Sequence, residues 1–144
     1  MRLDEDDDSA PITTRDPMGV LVVEDEPLLQ WAISEMLSNS GMVVSLASDA
    51  AAALEVLTAS APLVDVVLLD LCLPDSRDLA LLSTIRRRWP GMAVVIMTAH
   101  AAPDVLDGAR SLHVETILSK PFDLDHLPAI LRATPRRRNG QSPS

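Results

Sequence analysis

The sequence predicts an α/β fold, in which five parallel strands form one sheet sandwiched between helices. Three observations carry this expectation. The runs Val20–Val23, Val66–Leu69 and Ala93–Met97 are apolar throughout and rich in Val, as strands buried on both faces of a parallel sheet are. Segments with apolar residues at helical spacing separate the runs. The runs also end in polar residues suited to phosphoryl chemistry: Glu24, Asp25 and Glu26, then Asp70, then Thr98, and finally Ser119 and Lys120 after Thr116–Leu118. In a parallel sheet those ends share one edge, where α/β proteins place their ligands.

The elements follow in order. Gly19–Val23 is the first strand, and Pro27 sits where proline opens a helix. Leu28, Leu29, Ala32, Ile33, Met36 and Leu37 recur at helical spacing until Gly41 supplies a stop. Met42–Ala47 reads as the second strand, and Ser48 or Asp49 caps an alanine-rich helix over Ala50–Ala59 with Leu54 and Leu57 inward. Asp65–Leu69 is the third strand. The loop Asp70–Arg77 leads into a helix that reaches Trp89 and is closed by Pro90-Gly91. Met92–Met97 is the fourth strand, Pro103–Ser111 a short helix, and Val114–Leu118 a weaker fifth strand. A last helix over Phe122–Arg132 contains Pro128, which predicts a late start near Asp125 or a kink, because an interior proline removes a hydrogen bond and clashes one turn back. Trp31 and Trp89 are expected to pack rather than to bind a ligand.

Composition bounds the function. A chain of 144 residues with 47% hydrophobic content supports one domain with a real core, placed at 19–132. Residues 1–18 read as an acidic flexible tail and 133–144 as a basic one carrying Arg136, Arg137 and Arg138. The net charge of −9 and an aromatic content of 2% argue against a phosphate-neutralising or base-stacking nucleic-acid surface. Cys72 is the one cysteine and has no internal partner, which fits a reducing compartment. No apolar signal core or membrane span is evident, so a cytoplasmic protein is expected. The common glycine-rich phosphate loops are absent, which leaves phosphate chemistry to side chains.

If the first and third strands are neighbours, Glu24, Asp25 and Asp70 converge. Two unit charges about 4 Å apart cost roughly 4 kcal/mol at an effective dielectric of 20, so the cluster calls for a cation. Mg²⁺ suits it, because Mg²⁺ takes one or two carboxylates, keeps waters and accepts phosphate oxygens. Helix capping also accounts for Glu24–Glu26, since acids are favoured at helix N-termini, but it does not account for the other strand ends. Lys120, followed by Pro121 and a possible cis turn, is placed to supply positive charge. Thr98 is either a turn residue or a hydroxyl for a phosphoryl oxygen. His100 lies near the expected pocket, whereas His113 and His126 lack metal-ligand spacing.

Taken together, these residues resemble the receiver domain of two-component response regulators. Val20-Leu-Val-Val-Glu-Asp-Glu-Pro27 resembles the family's first strand and acidic pair, and Asp70-Leu-Cys-Leu-Pro-Asp75 its phospho-acceptor loop. Met97-Thr-Ala99 resembles its switch hydroxyl, and Ser119-Lys-Pro-Phe122 its lysine motif. The resemblance implies a doubly wound, flavodoxin-like sheet in the order 2-1-3-4-5. It implies that Asp70 accepts a phosphoryl group from a histidine kinase or phosphotransfer protein. Glu24, Asp25, Asp70 and the main-chain carbonyl of Cys72 would hold Mg²⁺. Lys120 would pair with Asp70 and then with the phosphoryl group, and Thr98 would report its presence. A partner-binding surface on the fourth helix and fifth strand would then switch.

Several positions depart from the family pattern. Ile117 stands where an aromatic residue accompanies switching, His113-Val114 replaces Gly-Ala, Asp78 replaces a glycine, and Pro128 falls in the last helix. These departures bear on the output face more than on the phosphorylation site, and the expectation is a phosphorylation switch rather than a turnover enzyme. It would be cytoplasmic, a monomer or a phosphorylation-dependent homodimer, act on a downstream protein target, and have no nucleic-acid or membrane contact of its own. Residues after Arg132 are too few for a DNA-binding unit, so the chain is a stand-alone receiver or one excised from a longer DNA-binding regulator. A phosphorylation-independent interaction module is the alternative. A phosphatase is disfavoured, because Cys72 stands where such enzymes place a second acid.

Overall fold

The computed structural model describes residues 17–77 and 79–135. Strands β1 (Gly19–Val23), β2 (Val43–Ala47), β3 (Val66–Asp70), β4 (Ala93–Thr98) and β5 (Thr116–Ser119) form one sheet. Neighbouring strands are parallel and the order is β2-β1-β3-β4-β5, as the resemblance implied. Helices α1 (Pro27–Asn39), α2 (Ala50–Ser60), α3 (Ala80–Arg88), α4 (Pro103–Ser111) and α5 (Leu127–Ala133) alternate with the strands. The chain order reverses between β1 and β3, which opens a crevice at their carboxyl ends.

The two sheet faces divide the core with the period of two expected of strands. On one face Leu21, Val23, Val67, Leu69, Val94 and Ile96 pack against Leu57 of α2, Leu82 and Ile85 of α3 and Ala109 of α4. On the other, Val20, Val22, Val66, Leu68, Val95 and Met97 pack against Ile33 and Leu37 of α1 and Leu127 and Leu131 of α5. Each such side chain taken fully out of water contributes about 1.5–3 kcal/mol. β1, β3 and β4 are buried along their whole length, while the edge strands β2 and β5 are partly exposed, and hence read as weaker apolar runs.

Local chemistry sets the boundaries. Pro27 occupies the first turn of α1, and Gly41 has φ +88, where a side chain would be strained. A Cβ on Gly19 would collide with the Leu63 carbonyl, so β1 can begin there only with glycine. Between the two expected caps of α2, the structure selects Asp49, whose carboxylate accepts from the Ala52 amide at 2.8 Å. A second acid, Asp75, reaches from the β3–α3 loop and accepts from the amides of Ala50 at 2.7 Å and Ala51 at 3.0 Å.

Some expectations need correction. Of the two outcomes expected at Pro128, the late start holds and the kink does not. A 3-10 turn over Leu124–His126 comes first, α5 begins at Leu127, and Pro128 falls in its first turn, where a missing N–H costs nothing. Trp31 is 60% exposed instead of packed, because it projects nearly opposite the stripe formed by Ile33 and Leu37. Leu28, 70% exposed, lies on that same outer side. Trp89 does pack against the core, with the Arg88 guanidinium 4.5 Å from its ring centroid. His113 takes the glycine-like φ of +63 itself, and Arg86 braces that turn. The Arg86 guanidinium donates to the carbonyls of Leu112 at 2.8 Å, Pro90 at 2.8 Å, Met92 at 2.7 Å and His113 at 3.3 Å. The expected tails, 1–18 and 133–144, lie outside the described residues at 1–16 and 136–144, as does the expectation at Asp78. At their described ends Met18 is buried in the core, Ala133 belongs to α5 and Thr134 is buried, so these residues are part of the domain.

Candidate functional site

The crevice between β1 and β3 collects the acids that the sequence singled out. Glu24 and Asp25 follow β1 directly, and Asp70 is the last residue of β3. One carboxylate oxygen from each lies within 4.8 Å of the other two. Glu24 and Asp70 are buried and Asp25 is exposed, so the group has a wet side through which an ion or a phosphoryl donor can approach. Among the described residues no other cluster of three potential metal-ligating side chains forms, and no histidine joins this one.

Lys120 enters from the loop after β5, placed by its backbone N–H, which donates a hydrogen bond to the Thr98 carbonyl at 2.8 Å, and followed by a cis peptide to Pro121. Its Nζ lies 2.8 Å from Glu24 Oε1 and 3.3 Å from Asp70 Oδ2, so one ammonium bridges two strand ends. Burial alone would lower the pKa of this ammonium. The Glu24 hydrogen bond and the charges of Asp70 and Glu24 outweigh burial and hold it above its ordinary value. The expected pairing with Asp70 is therefore found, with Glu24 as the nearer partner.

The remaining oxygens are also assigned. Glu24 Oε2 accepts from the Glu26 amide at 3.0 Å, and Asp70 Oδ1 accepts from the Cys72 amide at 3.0 Å. Sequence reasoning missed Gln30, on α1 one turn beyond the acidic run. Its side-chain amide donates to the Glu24 carbonyl at 2.9 Å and lies 3.2 Å from the Ser48 hydroxyl, tying the ends of β1 and β2 together. Nothing in its spacing along the chain signals this contact. Asp75 stands out in the sequence only as part of the phospho-acceptor loop motif, and its capping of α2 across 24 residues of sequence has no local signal.

Thr98 ends β4 with its side chain buried, and its Oγ1 has no hydrogen-bond partner among the described residues. An orphaned buried hydroxyl costs about 1–3 kcal/mol, so its place beside an acidic pocket needs a reason. Cys72 exposes its thiol, and its backbone amide is what touches the site. His100 is exposed just beyond Thr98, and Ile117 packs half-buried against the core face that carries α4. Beside Lys120 a cavity of about 400 Å³ opens between Leu29, Ala99, Phe122 and Leu124.

Comparison with known proteins agrees with this geometry. The family model for the response regulator receiver domain matches residues 20–132. The DNA-binding transcriptional regulator NtrC of Escherichia coli K12 is 34% identical over 125 residues, which is 86% of this chain and 26% of NtrC. The transcriptional regulatory protein PmrA of Pectobacterium parmentieri is 39% identical over 127 residues, 88% of this chain and 56% of PmrA. The chain thus spans only part of the length of these relatives. A response regulator receiver domain from Clostridium thermocellum superposes with a TM-score of 0.76 at 27% identity, covering 81% of this chain and 93% of that one.

Proposed function

The chain belongs to the response regulator receiver domain family, and we propose that Asp70 is its phospho-acceptor in a Mg²⁺-dependent signalling switch. The observation that carries this reading is the convergence of Glu24, Asp25, Asp70 and Lys120 from three separate strand ends into one half-open pocket. The donor set fits Mg²⁺: three hard carboxylate oxygens lie within one ion's reach, with Asp25 open to solvent. Glu24, Asp25, Asp70 and the Cys72 carbonyl would hold the ion, which when bound would neutralise charge on the transferring phosphoryl oxygens.

The chain's own residues divide the remaining work. Asp70 attacks phosphorus through a carboxylate oxygen as the bond from phosphorus to the donor's imidazole nitrogen breaks. The histidine keeps the electron pair of that bond. Phosphoryl transfer passes through a loose transition state, so positioning and charge stabilisation supply most of the rate. Lys120, already 3.3 Å from Asp70, moves its contact to a phosphoryl oxygen. The unpartnered Thr98 hydroxyl gains an acceptor when the acyl phosphate forms, which gives its buried orphan state a function. That new contact draws on β4 and biases the surface of α4 and β5, where Ile117 packs in place of an aromatic lever.

The reading makes the protein a self-limiting switch rather than a turnover enzyme. It would act in the cytoplasm between a histidine kinase or phosphotransfer protein and a downstream protein, with residues 19–132 as the receiver. Among the described residues no helix is long and apolar enough to cross a membrane. Incubation with acetyl phosphate and Mg²⁺ followed by intact mass tests the reading. Gain of one phosphoryl mass by the wild type and none by Asp70→Asn is expected. No gain with either acetyl phosphate or a phosphorylated histidine donor would instead make the chain a phosphorylation-independent interaction module.

A further inference from the structure

The loop that follows Asp70 is tethered at two points. At the sheet, the Leu71 amide bonds the Met97 carbonyl at 3.2 Å, and the Cys72 amide donates to Asp70 Oδ1 at 3.0 Å. The loop backbone therefore sets which way the Asp70 carboxylate points. Midway along it, Asp75 accepts with both carboxylate oxygens from the first two amides of α2, Ala50 and Ala51. That helix already has its own cap in Asp49, which takes the third amide at 2.8 Å. Two acids thus serve one helix N-terminus, and the second comes from a distant loop. Charged acceptors at a helix N-terminus hold well, because the free amides and the helix dipole act together.

α2 is itself referenced to the other half of the acidic pocket. It starts just after β2, whose last residue, Ala47, accepts from the Glu24 amide at 3.0 Å. The contacts close into a ring. Asp70 bonds the Cys72 amide, the loop runs to Asp75, Asp75 holds the start of α2, and the end of β2 bonds Glu24. Glu24 and Asp70 then meet across Lys120.

We infer that Asp75 is a positioning residue for the phosphorylation site, holding the Cys72 amide, and through it the Asp70 carboxylate, at a fixed spacing from Glu24 and Asp25. The inference rests on the acidic pocket being the Mg²⁺ and phosphoryl site. A carboxylate pair held at a set spacing binds a small octahedral cation better than one free to drift, because Mg²⁺ tolerates little departure from its preferred geometry. Outer contacts that orient ligands typically govern about 10–100-fold in metal affinity. Asp75 is exposed, so the lower end applies here.

The test uses the whole chain with Asp75→Ala and Asp75→Asn, Mg²⁺ affinity from isothermal titration calorimetry, and melting by circular dichroism. Asp75→Ala should raise the Kd for Mg²⁺ about tenfold. Phosphate uptake from acetyl phosphate should slow at limiting Mg²⁺ and largely recover at saturating Mg²⁺. Asp75→Asn, which keeps one acceptor oxygen, should fall between. A residue that only caps α2 would lower the melting temperature and leave Mg²⁺ affinity unchanged, and that result overturns the inference. If Asp75→Ala does not fold, Asp75→Asn alone decides, with an unchanged Kd counting against the role. Failure of the wild type to bind Mg²⁺ would instead overturn the site assignment beneath it, so the two failures are distinguishable.

Discussion

Replacing Lys120 by methionine keeps the apolar stem and removes the charge that bridges the two buried acids. At the observed 2.8 Å to Glu24 and 3.3 Å to Asp70, the two attractions are each about 5–6 kcal/mol at an effective dielectric of 20. Desolvation of all three groups offsets much of that. The net cost of stripping one partner from a buried pair is about 3–5 kcal/mol. The Lys120 side chain is 19% exposed while those of Glu24 and Asp70 are 1% and 3%, so the lower end, about 3 kcal/mol, is expected. The loss leaves three carboxylates within 4.8 Å and no cation among them. Urea unfolding at pH 7 without divalent ions measures this cost. Added Mg²⁺ should then stabilise Lys120→Met more than the wild type, because the ion supplies the missing positive charge. A variant within about 0.5 kcal/mol of the wild type, with the same response to Mg²⁺, would refute the electrostatic reasoning.

The raised pKa of Lys120 carries a pH consequence. Its contribution to stability is full below its unfolded value of about 10.5 and is lost as pH rises through the higher folded value, so the wild-type advantage over Lys120→Met should shrink only at that alkaline end. A gap that closes between pH 7 and 9 would contradict the assignment. Thr98→Val replaces an unpartnered buried hydroxyl with a methyl group and should raise unfolding free energy by about 1 kcal/mol in urea, while removing the phosphorylation-dependent contact on β4. A destabilised Thr98→Val would mean that the hydroxyl is satisfied in solution. Glu24→Ala combined with Asp25→Ala should abolish calorimetric Mg²⁺ binding, and unchanged affinity would remove these acids from the site. Gly19→Ala should destabilise the chain by more than 1 kcal/mol through its clash with the Leu63 carbonyl, without altering the Mg²⁺ affinity of molecules that fold.

Much of the architecture is legible in the sequence because it rests on local pattern. The β1, β3 and β4 runs are apolar throughout, since both faces of the sheet are covered, and Pro27, Asp49 and Pro103 mark their helix starts directly. The acids, Thr98 and Lys120 are legible because a strand-end register puts them at one edge. Trp31 was misplaced because an aromatic residue in a helix reads as core, whereas the angle from Ile33 and Leu37 decides. Pro128 is legible in part: an interior proline signals the late start of α5, whereas the 3-10 turn that sets that start at Leu127 is announced by no periodicity. Asp75 and Gln30 escaped for a different reason: their partners are backbone groups of other elements, and such contacts leave no spacing in the chain.

The chemical identity of the acceptor is the point on which the account turns. Borohydride reduction of the protein after acetyl phosphate treatment converts an aspartyl phosphate to homoserine, which peptide mass spectrometry then locates. The account predicts homoserine at position 70 alone, formed with Mg²⁺ present and absent when the ion is chelated. Label at another residue, or uptake at Asp70 that persists in chelator, would contradict it.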